Sequence, residues 1–375
     1  MSKTPYLPPL LSLTPDKAPW GSFGLQEFEA SFALGKLEGR IEMAQYEVHT
    51  CPVWLAWEAK NSSAIYGIET SLEQIFATNA GYEIPKESRE SAREAMVCWK
   101  AMEAGLEAIG KGGKITLPFI RSLHELLCDG TRGAGIHPGQ WRDNPGYVGA
   151  LTGDGKQKII YTPPAPEHIQ GLMENLEQFI HRDDLSPLVQ SAVLLAQFEL
   201  IQPFNGGSGR VGRMLIPILL VQKRILTSPC FSLSHYFQKH LDEYWDALGS
   251  ISKKGDWKQW IEFFLKAVVR SADETYFMFQ DMDERIRRFP RYAALVLDKK
   301  LMGQQERILD YVLSNPVFLT QNMDKALELH QTRQKMTHLM KQLSPTRLIG
   351  STELGTKATI WKLGFLDMFE DEEDE

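Results

Sequence analysis

Cysteine is scarce in this chain. Cys51, Cys98, Cys128 and Cys230 are scattered, and their spacing makes no metal-ligand or redox pattern, which fits a reducing, cytoplasmic setting. No charged-then-apolar leader opens the sequence. The most apolar stretch, Leu215–Leu226, is interrupted by Gln222, Lys223 and Arg224 and is too short to cross a bilayer. A soluble protein with no membrane partner is expected. Internal repeats and internal low-complexity segments are also missing. The net charge of −7 owes much to the last six residues, 370–375, all acidic, which read as a solvated end of an acidic tail over 366–375. What remains is an ordinary globular composition in 375 residues, long enough for two or three domains with a substantial core.

Residues 1–20 carry Pro5, Pro8, Pro9, Pro15 and Pro19, which predicts an extended arm rather than a helix. Helical periodicity follows over Leu25–Tyr46, Pro52–Thr78, Lys86–Ile109, Leu117–Cys128, His168–His181 and Leu188–Leu200. Strand signals are few. Tyr147–Leu151 and Lys158–Thr162 flank a Thr-Gly-Asp-Gly turn and read as a β-hairpin. Asp256 caps a helix over Trp257–Val269, and a charged helix over Ala272–Lys300 leads into a separate module. In that module, helices over Gln304–Leu313, Asn322–Leu329 (capped by Thr320) and Gln334–Leu343 (capped by Thr332) precede Leu348–Ser351 and Thr359–Leu363 around a Gly355 turn. Three helices and a two-stranded wing predict a winged helix-turn-helix. Ten Lys or Arg against five Asp or Glu between Lys299 and Leu363 make it basic within an acidic chain. Trp54, Trp57, Trp99, Trp245, Trp257 and Trp260 sit on helical patterns and are expected as core anchors.

The most informative run is 202–213, Gln-Pro-Phe-Asn-Gly-Gly-Ser-Gly-Arg-Val-Gly-Arg. Three glycines and a serine stand between a Pro-Phe corner and a helix. Backbone N–H groups at such a helix start can surround a phosphate, and Arg210 and Arg213 add positive charge. A dinucleotide fingerprint is excluded, because the preceding segment is helical and no Asp or Glu occurs between Met214 and Leu241 to bind a ribose. A tight helix–helix corner needing glycine is the bland alternative.

The run resembles the active-site motif of the Fic family, HPFx(D/E)GNGRxxR. Further segments share the likeness: Gln140-Trp141-Arg142 with Val148-Gly149, Tyr161–Glu167, Phe179-Ile180-His181, Phe198-Glu199, Ser232–Phe237, Gly255-Asp256-Trp257 and Tyr6–Leu10. The resemblance implies a mainly α fold, a Fic helical bundle with a β-hairpin flap, here followed by the C-terminal winged helix. It divides the chain into an arm and Fic-associated helical domain (1–110), a Fic core (111–270), a linking helix (271–303), the winged helix (304–365) and the tail. It also implies transfer of AMP from ATP, or of a related group from another nucleotide, onto Ser, Thr or Tyr hydroxyls of a protein target. The target would add as a strand to the flap at Ile160, Tyr161 and Thr162. Nucleotide would be held by Asn205, Gly206, Gly207, Ser208, Gly209, Arg210 and Arg213.

Three motif positions depart from the family. Its His, the general base, is Gln202, whose amide is not basic. Its acidic metal ligand is Gly206, so Mg²⁺ is not supported, and its Asn is Ser208. Losing a base typically costs about 10²–10⁴ in rate. The family's inhibitory segment, (S/T)xxxE(G/N), has its frame in Ser62–Gly67, but its Glu is Tyr66, which is expected either to pack on the core or to hydrogen-bond Arg213. His137, His181 and His235 are the candidates for a replacement base. The expectation is a weak or inactive scaffold that still binds a nucleotide. The alternatives are an active transferase using an unassigned base or another donor, and a ligand-sensing regulator that binds DNA. For DNA the reading helix carries Arg333, Lys335, His338 and Lys341, with Arg347 and Lys357 near the wing. Contact between proteins, including a homodimer, is the other use for that module.

Overall fold

The computed structural model describes residues 5–12, 22–44, 46–131, 137–146, 148–151, 157–352, 354 and 359–369. Residues 5–12 run extended, as their prolines require, and are pinned by side chains. Gln197 Nε2 donates to the Pro9 carbonyl at 3.0 Å, Asn175 Nδ2 to that of Leu11 at 3.1 Å and Arg182 Nη1 to that of Ser12 at 2.7 Å. Helices α1 (Gly24–Glu42), α2 (Glu47–Ala64), α3 (Leu72–Asn79) and α4 (Arg89–Gly110) follow. The expected helix over Pro52–Thr78 is therefore two. Gly67, at φ +76°, takes a left-handed turn after α2, and a reciprocal Ser71–Gln74 capping box starts α3.

The middle of the chain forms α5 (Leu117–Cys128), the hairpin β1 (Val148–Leu151) and β2 (Gln157–Tyr161), α6 (Ile169–Ile180), α7 (Pro187–Ile201) and α8 (Ser208–Gln222). The strands pair antiparallel from Leu151↔Gln157 to Val148↔Tyr161, with an irregularity after Val148. The hairpin's turn and Tyr147 lie outside the described residues. Every residue from Leu188 to Ile201 is buried, as is most of α8. A helix that is apolar all round belongs at the centre of a bundle, and α7 lies among α1, α6, α8 and α11. The six tryptophans expected inside are inside.

After α9 (Leu233–Lys239) and α10 (Leu241–Lys254), α11 runs unbroken for 40 residues, Trp257–Val296, capped by Asp256. This corrects the expected break near 270 and the start of a linking helix there. The apolar stripe of α11 continues through Ala272, Thr275, Met278, Phe279, Met282 and Phe289 while its partners change. One partner is α1, which lies parallel to it: Gln26 meets Glu262, Lys36 meets Asp273 and Arg40 pairs with Asp283.

The C-terminal module comprises α12 (Lys299–Met302), α13 (Gln305–Ser314), β3 (Val317–Phe318), α14 (Thr320–Leu327), α15 (Arg333–Leu343), β4 (Ile349–Thr352) and β5 (Ile360–Leu363), with sheet order β3-β5-β4. Thr320 begins α14 rather than capping it, whereas Thr332 Oγ1 accepts from the Lys335 N–H at 3.3 Å. Gly355 and Lys357 lie outside the described residues. The acidic tail does not begin at 366. Gly364–Phe369 is a 3₁₀ turn whose Phe369 ring lies 4.8 Å from Trp54 and 5.1 Å from Trp57, inside the aromatic core. Residues 370–375 lie outside the described set. The module is tied to the first domain: Asn322 Nδ2 donates to Tyr82 Oη at 2.9 Å, and Lys362 Nζ pairs with Glu73 of α3 at 2.8 Å.

Candidate functional site

The site is built where α7 hands over to α8. Gln202 ends α7 in the left-handed conformation at φ +46°, and Pro203 stops the helix. Gly207, at φ +72°, turns the chain into α8, where a Cβ would come within 2.8 Å of Leu127. Gly209 is needed for space rather than for φ. A Cβ there would lie 2.0 Å from Tyr66 Oη and 2.8 Å from Glu199 Oε1. The resulting cleft has a volume of about 410 Å³ and is floored by Asn205–Arg210, with Tyr66, Arg142 and Gln202 on its walls. The unsatisfied N–H groups of the first turn of α8 face an anion favourably.

Arg142 and His124 fix this loop from outside it. Arg142 is buried and donates only to carbonyls among the bonds described, those of Gln202 at 2.7 Å, Asn144 at 2.9 Å, Pro164 and Ile201. Burial depresses its pKa, and its charge adds to the positive character of the cleft. The His124 ring stacks on Phe204 at 3.8 Å. Its Nδ1 accepts from the Gly139 N–H at 2.9 Å, so Nε2 carries the proton and donates to the Gly206 carbonyl at 3.0 Å. Both nitrogens are occupied, which removes His124 as a proton acceptor.

Burial pulls the His124 pKa down to about 4, against the Gly206 hydrogen bond. In the folded chain the ring stays neutral down to that pH, whereas in the unfolded chain it binds a proton below about 6.5. Unfolding therefore takes up a proton between these values, and stability rises with pH across that window. Acidification from pH 6.5 to 4 should remove up to roughly 3 kcal/mol through this residue. Thermal unfolding of wild type and His124→Asn at a series of pH values should show a shallower acid slope in the variant.

A second network closes the back wall around Glu199. This carboxylate is fully buried and accepts from Arg213 Nη1 at 2.9 Å, Tyr244 Oη at 2.9 Å, Gln202 Nε2 at 2.8 Å and Tyr66 Oη at 3.4 Å. Tyr161 Oη donates to its backbone carbonyl. Burial pushes the Glu199 pKa up, against Arg213 and the three other donors. Arg213 is fully buried too. Its Nε and Nη2 donate to Ser62 Oγ at 2.8 Å and the Ser62 carbonyl at 2.9 Å. Burial opposes its charge, but Tyr66, Tyr244 and Glu199 outweigh that and raise its pKa.

Several sequence expectations change here. Arg213, expected on a phosphate, does not line the cleft, because all of its described donors are spent on Ser62 and Glu199. Ser208 reaches the cleft, but its hydroxyl accepts from the Phe204 N–H at 3.0 Å and donates to the Phe204 carbonyl at 3.3 Å. Arg210 does line the cleft and pairs with Glu94 at 3.2 Å. Tyr66 hydrogen-bonds Glu199 rather than Arg213, and it stays 36% exposed rather than sinking into the core. Its ring meets Trp245 edge-on and lies 5.2 Å from the Arg213 guanidinium, while its hydroxyl turns to Glu199. Burial first, then Glu199, raises the pKa of that phenol, against Arg213. Gly67 forms the turn behind it. On the flap, the Tyr161 side chain points into the core, the Thr162 carbonyl accepts from the Tyr6 N–H at 2.8 Å, and Ile160 lies in β2 at the irregularity that the strand register passes over.

None of the three candidate replacement bases lines this cleft. His137 is exposed on the preceding loop, and His235 packs on Trp57 with Nε2 3.2 Å from Glu274. His181 lines a larger cleft of about 710 Å³ with Lys114, Lys223 and Arg224. That cleft gathers the C-terminal ends of α4, α6 and α8, where the helix dipoles favour cations, so its basic lining needs no ligand. The donor set does not fit a metal at the loop. Gly206 offers no side chain, Glu199 is enclosed, and among the described residues no cluster of three His, Cys, Asp or Glu side chains could hold one. Glu199 and His124 went unassigned as site residues in the sequence. The signal for Glu199 was there, since a carboxylate inside a helix as apolar as α7 must be paired.

The sequence profile of the Fic/DOC family matches residues 114–220. A probable protein adenylyltransferase of Aquifex aeolicus is 30% identical over 67 residues, 18% of this chain and 21% of the relative. This chain thus spans about a fifth of that curated relative. Among solved structures, a Fic family protein from Desulfovibrio desulfuricans superposes with a TM-score of 0.57 at 18% identity, over 92% of this chain and 97% of that one. Fic-1 from C. elegans gives 0.52 at 17% identity, over 68% of this chain and 73% of its own. Residues 114–220 thus match the Fic/DOC family, and the fold over most of the chain is that of a Fic family structure.

Proposed function

We propose that this protein binds a nucleotide or related phosphate ligand in the cleft at Asn205–Arg210 and transfers AMP to protein hydroxyls weakly or not at all. The observation that carries this is the state of Gln202. At the position of the family base stands an amide whose Nε2 already donates to Glu199 at 2.8 Å, so an attacking hydroxyl meets no basic acceptor there. The phosphate ligand would be held by the first-turn N–H groups of α8 with Arg210 and the buried charge of Arg142. Asn205, Gly206, Gly207, Ser208 and Gly209 would contribute backbone, and Arg213 would enter only if it left Ser62 and Glu199. Ser62, Tyr66 and Gly67 would act as a regulatory segment beside the cleft. Ile160, Tyr161 and Thr162 would offer backbone to a target strand. The family's Mg²⁺ has no ligand at Gly206, and no step is assigned to it. A cytoplasmic setting is part of the same reading. Among the described residues no helix is long and apolar enough to cross a membrane.

Isothermal titration calorimetry with ATP, ADP and AMP tests the binding. Wild type should give saturable heat, and Arg210→Ala should bind on the order of tenfold more weakly, the cost of one charge-assisted contact. No saturable heat with any of the three at millimolar ligand overturns the proposal.

A second reading, a DNA-binding regulator, is favoured by one observation. Arg333, Lys335, His338 and Lys341 all stand exposed on α15, in a module that Glu73 and Tyr82 tie to the helix following Tyr66. Ligand in the cleft would then bias the winged helix. Salt-dependent duplex binding that changes with nucleotide distinguishes this reading.

A further inference from the structure

Helix α1 has two apolar faces. Ala30, Ala33, Leu34, Leu37 and Ile41 are buried against the bundle. On its outer side, Leu25, Phe28 and Phe32 are 68%, 64% and 66% exposed, and Met43 just beyond the helix is 75% exposed. Phe28 and Phe32 stack on each other with centroids 6.3 Å apart. The same stripe continues through Gly35 and Gly39, above each of which a Cβ would meet nothing within 4 Å. The positions 25, 28, 32, 35 and 39 advance by three and four residues in alternation, which is the spacing of a two-helix seam.

The stripe is bulky at its start and hollow at its end, so it complements itself when reversed. We infer that α1 is a homodimer interface, with α1 of a second copy packed antiparallel along this face. A two-fold axis between residues 33 and 34 sets Phe32 over Gly35 of the second copy and Phe28 over Gly39 of the second copy. The same register brings Glu29 beside Lys36 of the second copy, twice by symmetry. Both are exposed, and within one chain Lys36 is held by an exposed pair with Asp273 at 3.4 Å. The exposed apolar side chains of two copies offer on the order of 1,000 Å², the lower bound for a specific interface. A lipid surface is the poorer occupant, because Glu27, Glu29, Glu38 and Glu42 on α1 outnumber Lys36 and Arg40 and would repel anionic headgroups.

Sedimentation velocity of the full chain, with circular dichroism as a folding check, tests this. Wild type should be a dimer at about 50 µM, and Phe28→Glu/Phe32→Glu should be a folded monomer. Glu29→Lys alone and Lys36→Glu alone should each dimerise roughly tenfold more weakly, since each sets like charges in contact twice. An equimolar mixture of these two variants should recover the wild-type dimer, because the heterodimer restores both pairs. The inference is overturned by a monomeric wild type at that concentration, or by a dimer indifferent to the Phe and charge variants. It also falls if the mixture does no better than its components, or if Phe28 and Phe32 retain the chain on phosphatidylcholine–phosphatidylserine vesicles while leaving it monomeric.

Discussion

Purified protein incubated with ATP and Mg²⁺ or Mn²⁺, alone and with candidate targets, should gain no AMP adduct by intact mass, whereas Gln202→His/Gly206→Asp/Ser208→Asn should gain one. The three substitutions address separate parts of the chemistry. An imidazole at 202 restores a proton acceptor, worth about 10²–10⁴ in rate. Glu199, 2.8 Å from the present amide, is placed to take the other ring N–H and hold the tautomer. A carboxylate at 206 supplies the missing metal ligand, worth several kcal/mol to a phosphoryl transition state. Asparagine at 208 gives up the Ser208–Phe204 closure and offers an amide to phosphate. An adduct on wild type would mean that catalysis has found another base. His137, His181 and His235 do not reach the cleft, so a rearrangement on target binding would have to supply it.

Arg213→Ala should destabilise the folded chain by about 3–5 kcal/mol in urea denaturation, because it leaves the Glu199 carboxylate buried without its cation. Glu199→Gln should cost less, about 1–3 kcal/mol, since the amide keeps hydrogen bonds to some of its neighbours. The two changes combined should cost less than their sum. This separates Arg213 from its neighbour in the motif. Arg210→Ala should weaken nucleotide binding with little effect on stability, since Arg210 lines the cleft. A stability change under 0.5 kcal/mol for Arg213→Ala, the usual range of a neutral surface substitution, would show that the network around Glu199 does not hold the back wall.

Much of this protein was determined by sequence alone, wherever the physics is local. The glycine run after Pro203-Phe204 fixes a tight turn into a helix, the Leu117–Cys128 periodicity fixes α5 to the residue, and the tryptophans at helical spacing are core. The resemblance of residues 202–213 to the Fic motif placed the cleft. Where the chain is held by distant partners, only the tertiary structure decided. Residues 52–78 keep an apolar pattern across a break that Gly67 makes. Helix α11 runs through an apparent boundary because its stripe passes from one set of partners to another, and Phe369 is core although an acidic run follows it. The largest reversal is Arg213. Motif position sets it on a phosphate, yet its charge is committed to Ser62 and Glu199. Tyr66, Gln202, Arg213 and Tyr244 converge on one buried carboxylate from segments far apart in the chain, with Ser62 holding Arg213 from behind. No periodicity encodes that convergence, because its cause is the cost of leaving Glu199 unpaired in a dry interior.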